Sequence, residues 1–213
     1  MIYDIDIAKQ VSKSLLQINA IILQPENPFK WASGWNSPIY CDNRKILSYP
    51  NIRNYIRQSL SSIVKNHFKS ANIIAGVATA GIPHGVLVAE ELGLPFIYVR
   101  SESKKHGRKN KIEGHFEKGQ SVIVIEDLIS SGKSSINAVK ELKKSGLNVK
   151  GVMSIFNYNF SESEKNFKKI ECDYISLCDY LSLLPEAIKS QYIKESELPL
   201  LKKWKENPSN WNL

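Results

Sequence analysis

Residues 122–135, VIVIEDLISSGKSS, contain the most informative pattern in this chain. Four apolar residues form a strand-length run, two carboxylates follow at once, and a serine- and glycine-rich turn leads into a helical pattern. Short runs that are apolar throughout are typical of strands buried on both faces, as in a parallel sheet. Three more such runs alternate with helical patterns, at residues 73–78, 96–99 and 149–156. This alternation predicts an α/β fold.

The two ends of the chain follow other patterns. Residues 4–23 and 51–68 carry apolar side chains at helical spacing and are predicted as amphipathic helices. Residues 24–50 are rich in Pro, Gly, Ser, Asn and aromatic residues, which favours turns and short strands. The segment after Asn157 does not continue the alternation. We therefore predict one domain over residues 1–213, with a parallel sheet flanked by helices over about 51–160. A small cap, or hood, is predicted from about 24–50 and the C-terminal segment.

Composition places the chain among folded, water-soluble proteins. It has 213 residues, of which 42% are hydrophobic and 23% charged. No apolar run approaches the roughly 20 residues of a membrane span, and the first residues lack the pattern of a signal peptide, so we expect a cytoplasmic protein without membrane contact. Its three cysteines have neither zinc-site nor disulfide spacing.

The net charge of +8 is concentrated in one place. Residues 104–111, KKHGRKNK, hold five of the 29 basic side chains. A local cluster of this kind favours a site for a small anion over an extended nucleic-acid surface, and we expect no nucleic-acid partner.

The residues after the third apolar run suit a ribose phosphate. Ligands bind such sheets where strands end and helices begin. There a phosphate would meet backbone N–H groups, a helix dipole and serine hydroxyls, while adjacent carboxylates accept hydrogen bonds from vicinal hydroxyls. The alternative is that the serines only cap the helix. A triphosphate-binding P-loop is excluded, because Asp127 stands where that motif requires glycine.

Residues 122–134 resemble the 5-phosphoribosyl 1-pyrophosphate (PRPP) motif of type I phosphoribosyltransferases. Residues 33–44 (SGWNSPIYCDNR), 76–83 (GVATAGIP) and 100–114 (RSESKKHGRKNKIEG) are similar to orotate phosphoribosyltransferases. The resemblance implies a type I phosphoribosyltransferase fold and a homodimer whose subunits share active sites. It also implies a pentosyl transfer with Mg²⁺, in which PRPP and orotate give orotidine 5′-monophosphate and pyrophosphate during pyrimidine synthesis.

The resemblance also implies roles for particular residues. Those expected to act in catalysis are Lys104, His106 and Asp127. Those expected to bind PRPP are Arg100, Lys104, Lys105, His106, Glu126, Asp127, Leu128, Ile129, Ser130, Ser131, Gly132, Lys133 and Ser134. Orotate is expected to contact Ser130, and we add Arg44 and Tyr40 as candidates. No protein ligand to the metal is expected, because Mg²⁺ would arrive on PRPP.

Some residues depart from the common pattern of that family. Ala32, Thr79-Ala80 and residues 156–158 stand where many members have lysine, Tyr-Lys and an arginine. The resemblance implies that the loop carrying Lys104, Lys105 and His106 acts as a lid, and Gly107 and Gly114 fit either its hinges or ordinary turns. Two alternatives stay open: a phosphoribosyltransferase for a purine or xanthine, and a noncatalytic PRPP sensor that binds nucleic acid.

Overall fold

A computed structural model of the chain describes residues 1–31, 34–102 and 111–211. The helices are α1 (Ile5–Gln17), α2 (Pro50–His67), α3 (Gly81–Leu92), α4 (Lys133–Lys144), α5 (Ser161–Lys169), α6 (Tyr180–Lys189) and α7 (Leu198–Glu206). The strands are β1 (Ile21–Leu23), β2 (Phe29–Lys30), β3 (Asn36–Ser37), β4 (Ile39–Cys41), β5 (Ile73–Val77), β6 (Phe96–Val99), β7 (Ile112–Glu113), β8 (Ser121–Ile129), β9 (Asn148–Asn157) and β10 (Tyr174–Asp179). Short 3-10 turns occupy Asn43–Ser48, Glu195–Glu197 and Pro208–Asn210.

The core is a six-stranded sheet in the order β10-β9-β8-β5-β6-β7. All neighbouring strands are parallel except β6 and β7, which pair antiparallel at one edge. Side chains of β8 alternate between the two faces: Ile123 and Ile125 join one apolar cluster, and Val122 and Val124 join the other. Burial on both faces explains why this strand is apolar throughout, and the predicted α/β class is confirmed.

Helices cover both faces of the sheet. Apolar residues of α2 and α3 belong to the first cluster, and those of α4 belong to the second. Three glycines let α3 lie close to the sheet. A Cβ on Gly81 would stand 2.5 Å from the carbonyl oxygen of Ile125, and one on Gly85 would stand 2.7 Å from the ring of Phe96. A Cβ on Gly76 would stand 2.9 Å from the main chain of α3.

The cap is built from both ends of the chain. Strands β1 and β4 pair antiparallel, as do β2 and β3. The buried Trp204 of α7 donates its Nε1–H to the carbonyl oxygen of Asn36 at 3.2 Å, and its ring lies 5.8 Å from that of Trp31. The C-terminal helix therefore holds the short strands of residues 24–41 in place.

Several predicted boundaries were wrong. The first helix ends at Gln17 instead of residue 23, because Asn19 adopts a left-handed conformation with φ of 51° and the chain then forms β1. The third apolar run continues through both acids, because β9 pairs with β8 as far as Ile129 and Asn157. The short strand β7 was not predicted.

The assignment of everything after Asn157 to the cap was also wrong. Strand β10 pairs parallel with β9 and extends the core sheet, and α1 packs against β10 and α6. The alternation is hard to see there because α5 is short and strongly polar. Within the described ranges, no helix is both long and apolar enough to cross a bilayer.

Candidate active site

The carboxyl ends of β5, β6 and β8 carry most of the predicted site residues. Parallel strands bring these ends to one edge of the sheet. Asp127 lies near the end of β8, Arg100 directly follows β6, and a loop through a cis peptide bond between Ala78 and Thr79 follows β5. The structure thus brings together acidic, basic and main-chain groups from distant parts of the sequence.

The two acids have different surroundings. Glu126 is only 5% exposed and accepts two hydrogen bonds, from Ser135 Oγ at 3.0 Å and from the main-chain N–H of Asp127 at 3.1 Å. Asp127 is half-buried. Glu126 is therefore already satisfied by the protein, whereas the Asp127 carboxylate is the more accessible of the two.

Burial has the largest effect on the pKa values of these two carboxyl groups. Desolvation, followed by the neighbouring Asp127 charge, raises the pKa of Glu126 well above its ordinary value. Desolvation also raises the pKa of Asp127. Ionising both carboxyl groups is unfavourable, because two neighbouring negative charges repel each other where little water reaches them. A ligand that donates hydrogen bonds or brings positive charge would stabilise the ionised pair.

The loop between β8 and α4 leaves a helix N-terminus open. Gly132 takes a left-handed conformation with φ of 79°, and a Cβ there would stand 2.9 Å from the ring of Phe167. Helix α4 begins without a side-chain cap. Ser130 and Ser131 are half-buried, while Lys133 and Ser134 are exposed. This loop therefore offers N–H groups, hydroxyls and a cation to an anion.

Leu128 and Ile129 contribute in another way. Both side chains pack into the apolar clusters, and the carbonyl oxygen of Ile129 accepts a hydrogen bond from the N–H of Tyr158 at 3.0 Å. Ile129 is fully buried, so a ligand could meet only its main-chain atoms, whereas Leu128 is partly exposed.

A small basic cavity lies beside this loop. It has a volume of about 90 Å³ and is lined in part by Ala78, Arg100, Lys111, Lys133, Ser134 and Asn137. The Arg100 guanidinium also lies 3.3 Å from Glu113 Oε1, across the antiparallel β6–β7 edge. Arg100 and Lys133, from separate predicted motifs, thus face one cavity suited to an anion.

Arg44 and Tyr40 lie on the cap side of the site. Arg44 is exposed and its Nε lies 2.6 Å from Asp42 Oδ1. Its charge acts on Asp127 by lowering the pKa of that carboxyl, although burial has the larger, opposite effect. Tyr40 is 41% exposed, with its ring 5.6 Å from that of Phe29. Both side chains remain accessible to a ligand.

Sequence reasoning missed two residues of this site. Asn43 is fully buried and donates from Nδ2 to the carbonyl oxygen of Asp127 at 2.8 Å. Ser135 holds Glu126. Ser135 directly follows the predicted motif, so its position on the first turn of a helix was a usable signal. Nothing in the sequence links Asn43 to a residue 84 positions away.

The basic lid residues Lys104, Lys105 and His106, with Gly107, lie outside the described residues. Gly114 is described and exposed, and it directly follows β7. Its φ is 107°, and a Cβ there would stand 2.8 Å from the side chain of Ile97. Across residues 1–31, 34–102 and 111–211, no three His, Cys, Asp or Glu side chains cluster as metal ligands.

The chain is similar to known proteins over most of its length. Residues 42–183 match the phosphoribosyl transferase domain. The chain is 49% identical to an orotate phosphoribosyltransferase of Cytophaga hutchinsonii over 203 residues, which cover 95% of this chain and 97% of that protein. It is also 49% identical to the Phocaeicola vulgatus enzyme of that name, with 95% and 96% covered.

A solved structure shares the fold. The crystal structure of orotate phosphoribosyltransferase from Aeropyrum pernix superposes with a TM-score of 0.74 at 24% identity, covering 83% of this chain and 97% of that chain. The matched domain and the relatives show that the chain belongs to the phosphoribosyltransferase family, and within it to the orotate phosphoribosyltransferases.

Proposed function

We propose that this protein transfers the 5-phosphoribosyl group from PRPP to orotate, giving orotidine 5′-monophosphate and pyrophosphate in the de novo synthesis of UMP. The observation that carries the proposal is the acid pair on β8, which one short loop joins to the uncapped N-terminus of α4. The named relatives, near 49% identity over almost the whole chain, support orotate as the base.

The loop from Leu128 to Ser134 would cradle the 5′-phosphate of PRPP. Its open N–H groups and the positive end of the α4 dipole favour a phosphate there. The accessible Asp127 carboxylate would accept hydrogen bonds from the ribose hydroxyls, with Glu126 behind it. Arg100 and Lys133 face the neighbouring cavity, which suits the pyrophosphate.

Catalysis would depend on electrostatic stabilisation. Breaking the bond to pyrophosphate builds positive charge on the ribose ring and negative charge on the leaving group. Arg100 and the lid residues Lys104, Lys105 and His106 would stabilise the leaving group, while the acids stabilise the ribose. Closure of a lid would exclude water from the reactive sugar. In this scheme the protein needs no nucleophile.

Mg²⁺ would accompany PRPP, and when bound it would neutralise charge on the pyrophosphate. The donor chemistry of the site fits this role. Mg²⁺ prefers oxygen ligands and keeps several waters. Asp127 offers a half-buried, accessible carboxylate oxygen to such an ion.

We also propose a homodimer in which the lid of one subunit closes over the partner's site. The position of the predicted lid in the sequence supports this, because it joins β6 to β7, the two strands at one edge of the sheet. A cytoplasmic location remains a prediction from the sequence.

Pyrophosphate release from PRPP, measured with Mg²⁺ and each of several bases, tests the function. We expect rapid release with orotate and little with uracil, hypoxanthine, guanine or xanthine. Preference for a purine or xanthine would assign the protein to another branch of the superfamily. PRPP binding without release with any base would favour the noncatalytic sensor.

A further inference from the structure

Glu126 is a buried carboxylate that owes its hydrogen bonds to two neighbours. Its side chain is 5% exposed, so water reaches it poorly, and a buried carboxylate without donors is strongly unfavourable. The packing of α3 contributes to this burial, since a Cβ on Gly81 would stand 3.3 Å from the Cα of Glu126. The two donors are the N–H of Asp127 and the hydroxyl of Ser135.

Of the two donors, Ser135 lies just beyond the loop from Leu128 to Ser134, which we call the phosphate loop. It is the third residue of α4, is 1% exposed, and donates from Oγ to Glu126 Oε2 at 3.0 Å. A serine near a helix start often caps its own helix, but α4 has no side-chain cap. The hydroxyl of Ser135 serves the strand instead.

This hydrogen bond closes the loop into a ring. Glu126 precedes the segment from Leu128 to Ser134 and Ser135 follows it, so the bond joins the two ends of the loop. Inside the ring, Gly132 lies so near Phe167 that a Cβ there would stand 2.9 Å from the ring, and the amide of Asn166 donates to the carbonyl oxygen of Ser131 at 3.4 Å. Side-chain contacts thus reach both the ends and the middle of the loop between β8 and α4.

We propose that Ser135 is a positioning residue for PRPP, which ties Glu126 of β8 to the first turn of α4 and fixes the phosphate loop at the width that a 5′-phosphate requires. The inference rests on the proposed function. It predicts that loss of the hydroxyl weakens the use of PRPP, while binding of orotate to the enzyme–PRPP complex is little affected.

The chain offers a matched control in Ser163. Like Ser135 it is the third residue of a helix and fully buried, and its hydroxyl also donates a hydrogen bond. Its acceptor, however, is the main-chain carbonyl of Phe160 at 2.8 Å, away from the acids. Ser163→Ala therefore removes a buried serine hydroxyl in the same helical position without touching Glu126.

The experiment measures initial rates of pyrophosphate release for wild type, Ser135→Ala, Ser135→Thr, Ser135→Cys and Ser163→Ala, varying PRPP at saturating orotate and the reverse. Ser135→Ala should raise the KM for PRPP at least about tenfold, with the orotate KM within about twofold of wild type. The impairment should follow hydrogen-bond donor strength: threonine near wild type, cysteine intermediate and alanine worst. Ser163→Ala should leave both KM values near wild type.

An unchanged PRPP KM in Ser135→Ala, or a threonine variant as impaired as the alanine variant, would overturn the role of Ser135. An equal rise in Ser163→Ala would do the same. If the alanine variant does not fold, the threonine and cysteine variants test the role of Ser135. The PRPP KM should then be near wild type for threonine and higher for cysteine. Inactivity of the wild-type protein with PRPP and orotate would instead refute the proposed function, so the two failures are distinguishable.

Discussion

The Nδ2 amide of Asn43 donates a 2.8 Å hydrogen bond to the carbonyl oxygen of Asp127 and so joins the cap to the central strand of the sheet. The Cys41 thiol donates to Oδ1 of the same side-chain amide at 3.4 Å. The neighbouring Arg44 is exposed beside the site. Asn43 thereby holds together the segment proposed to recognise orotate and the acid proposed to contact ribose.

Asn43→Asp should lower kcat/KM about tenfold or more. Aspartate has the same shape, but its carboxylate cannot donate to the Asp127 carbonyl, and it adds negative charge beside the acid pair. Steady-state kinetics below the unfolding temperature measure the effect. The control is Asn148→Asp. Asn148 is the first residue of β9, and its side-chain amide donates to the carbonyl oxygen of Gly119 at 2.8 Å, at the amino end of the strand. Equal losses in both variants would contradict a specific role for Asn43.

Asp127→Asn should reduce turnover about a hundredfold while the protein stays folded. An isosteric amide loses the charge that accepts hydrogen bonds from ribose, and such a contact contributes about 2–3 kcal/mol in a desolvated site. The measurement is kcat at saturating substrates, with circular dichroism as the check on folding. Asp173→Asn, at an exposed position before β10, serves as the control. Near-normal activity of Asp127→Asn would refute the assignment of this acid.

Arg44→Ala should raise the KM for orotate more than the KM for PRPP. A guanidinium forms strong charge-assisted hydrogen bonds to a carboxylate, and orotate differs from uracil by its carboxylate. Lys45→Ala is the matched control, because the adjacent Lys45 ammonium donates to the carbonyl oxygen of Asn19 at 2.9 Å. If the orotate KM is the same in Arg44→Ala and wild type, Arg44 has only a structural role.

Co-expressed Lys104→Ala and Asp127→Asn subunits should recover activity that neither variant has alone. A shared site would receive an intact lid from one chain and an intact acid from the other. Only hybrid dimers contain such a site, and a statistical mixture would restore at most a quarter of all sites. Activity of the purified hybrid is the measurement. Hybrids as inactive as both parents would show that the lid does not complete a partner's site.

His84 should make stability fall in mild acid. The side chain is 2% exposed, its Nε2 has no hydrogen-bond partner among the described residues, and burial lowers its pKa from 6.5 to about 4. The unfolded chain therefore binds a proton below pH 6.5 that the folded protein refuses until about pH 4. This difference costs up to about 3 kcal/mol of unfolding free energy over that interval.

Denaturant unfolding of wild type and His84→Gln between pH 7 and 4 tests this expectation. The loss of stability with falling pH should be smaller in the variant. His115→Gln, at an exposed position, should retain the wild-type dependence. Parallel curves for wild type and His84→Gln would show that other groups cause the acid sensitivity.

The sequence predicted the sheet best where local pattern and burial agree. The apolar run before Glu126 has no polar residue because both faces of β8 are covered, so its type and the position of the acids followed directly. The edge of the core was predicted poorly. β10 follows a short polar helix, and only its pairing with β9 shows that it belongs to the sheet.

Contacts between distant segments account for the rest. Asn43 has no local feature that distinguishes it from a turn asparagine, because its acceptor lies on another strand. The division of roles between the two acids also depends on three-dimensional surroundings. Adjacent in sequence, they differ because Ser135 reaches one of them and solvent reaches the other.

The acid pair lies on β8, an interior strand that pairs with β5 as far as Ile125 and with β9 as far as Ile129. Amide hydrogens of such a strand exchange with solvent chiefly through global opening, whereas edge segments exchange through local fraying. Deuterium uptake at Val124 and Ile125, directly before the acids, should therefore follow the unfolding of the whole domain, at a much slower rate than at Ile112 and Glu113. The strand that carries the acid pair is consequently as durable as the fold itself, and heat should not displace it before the sheet opens.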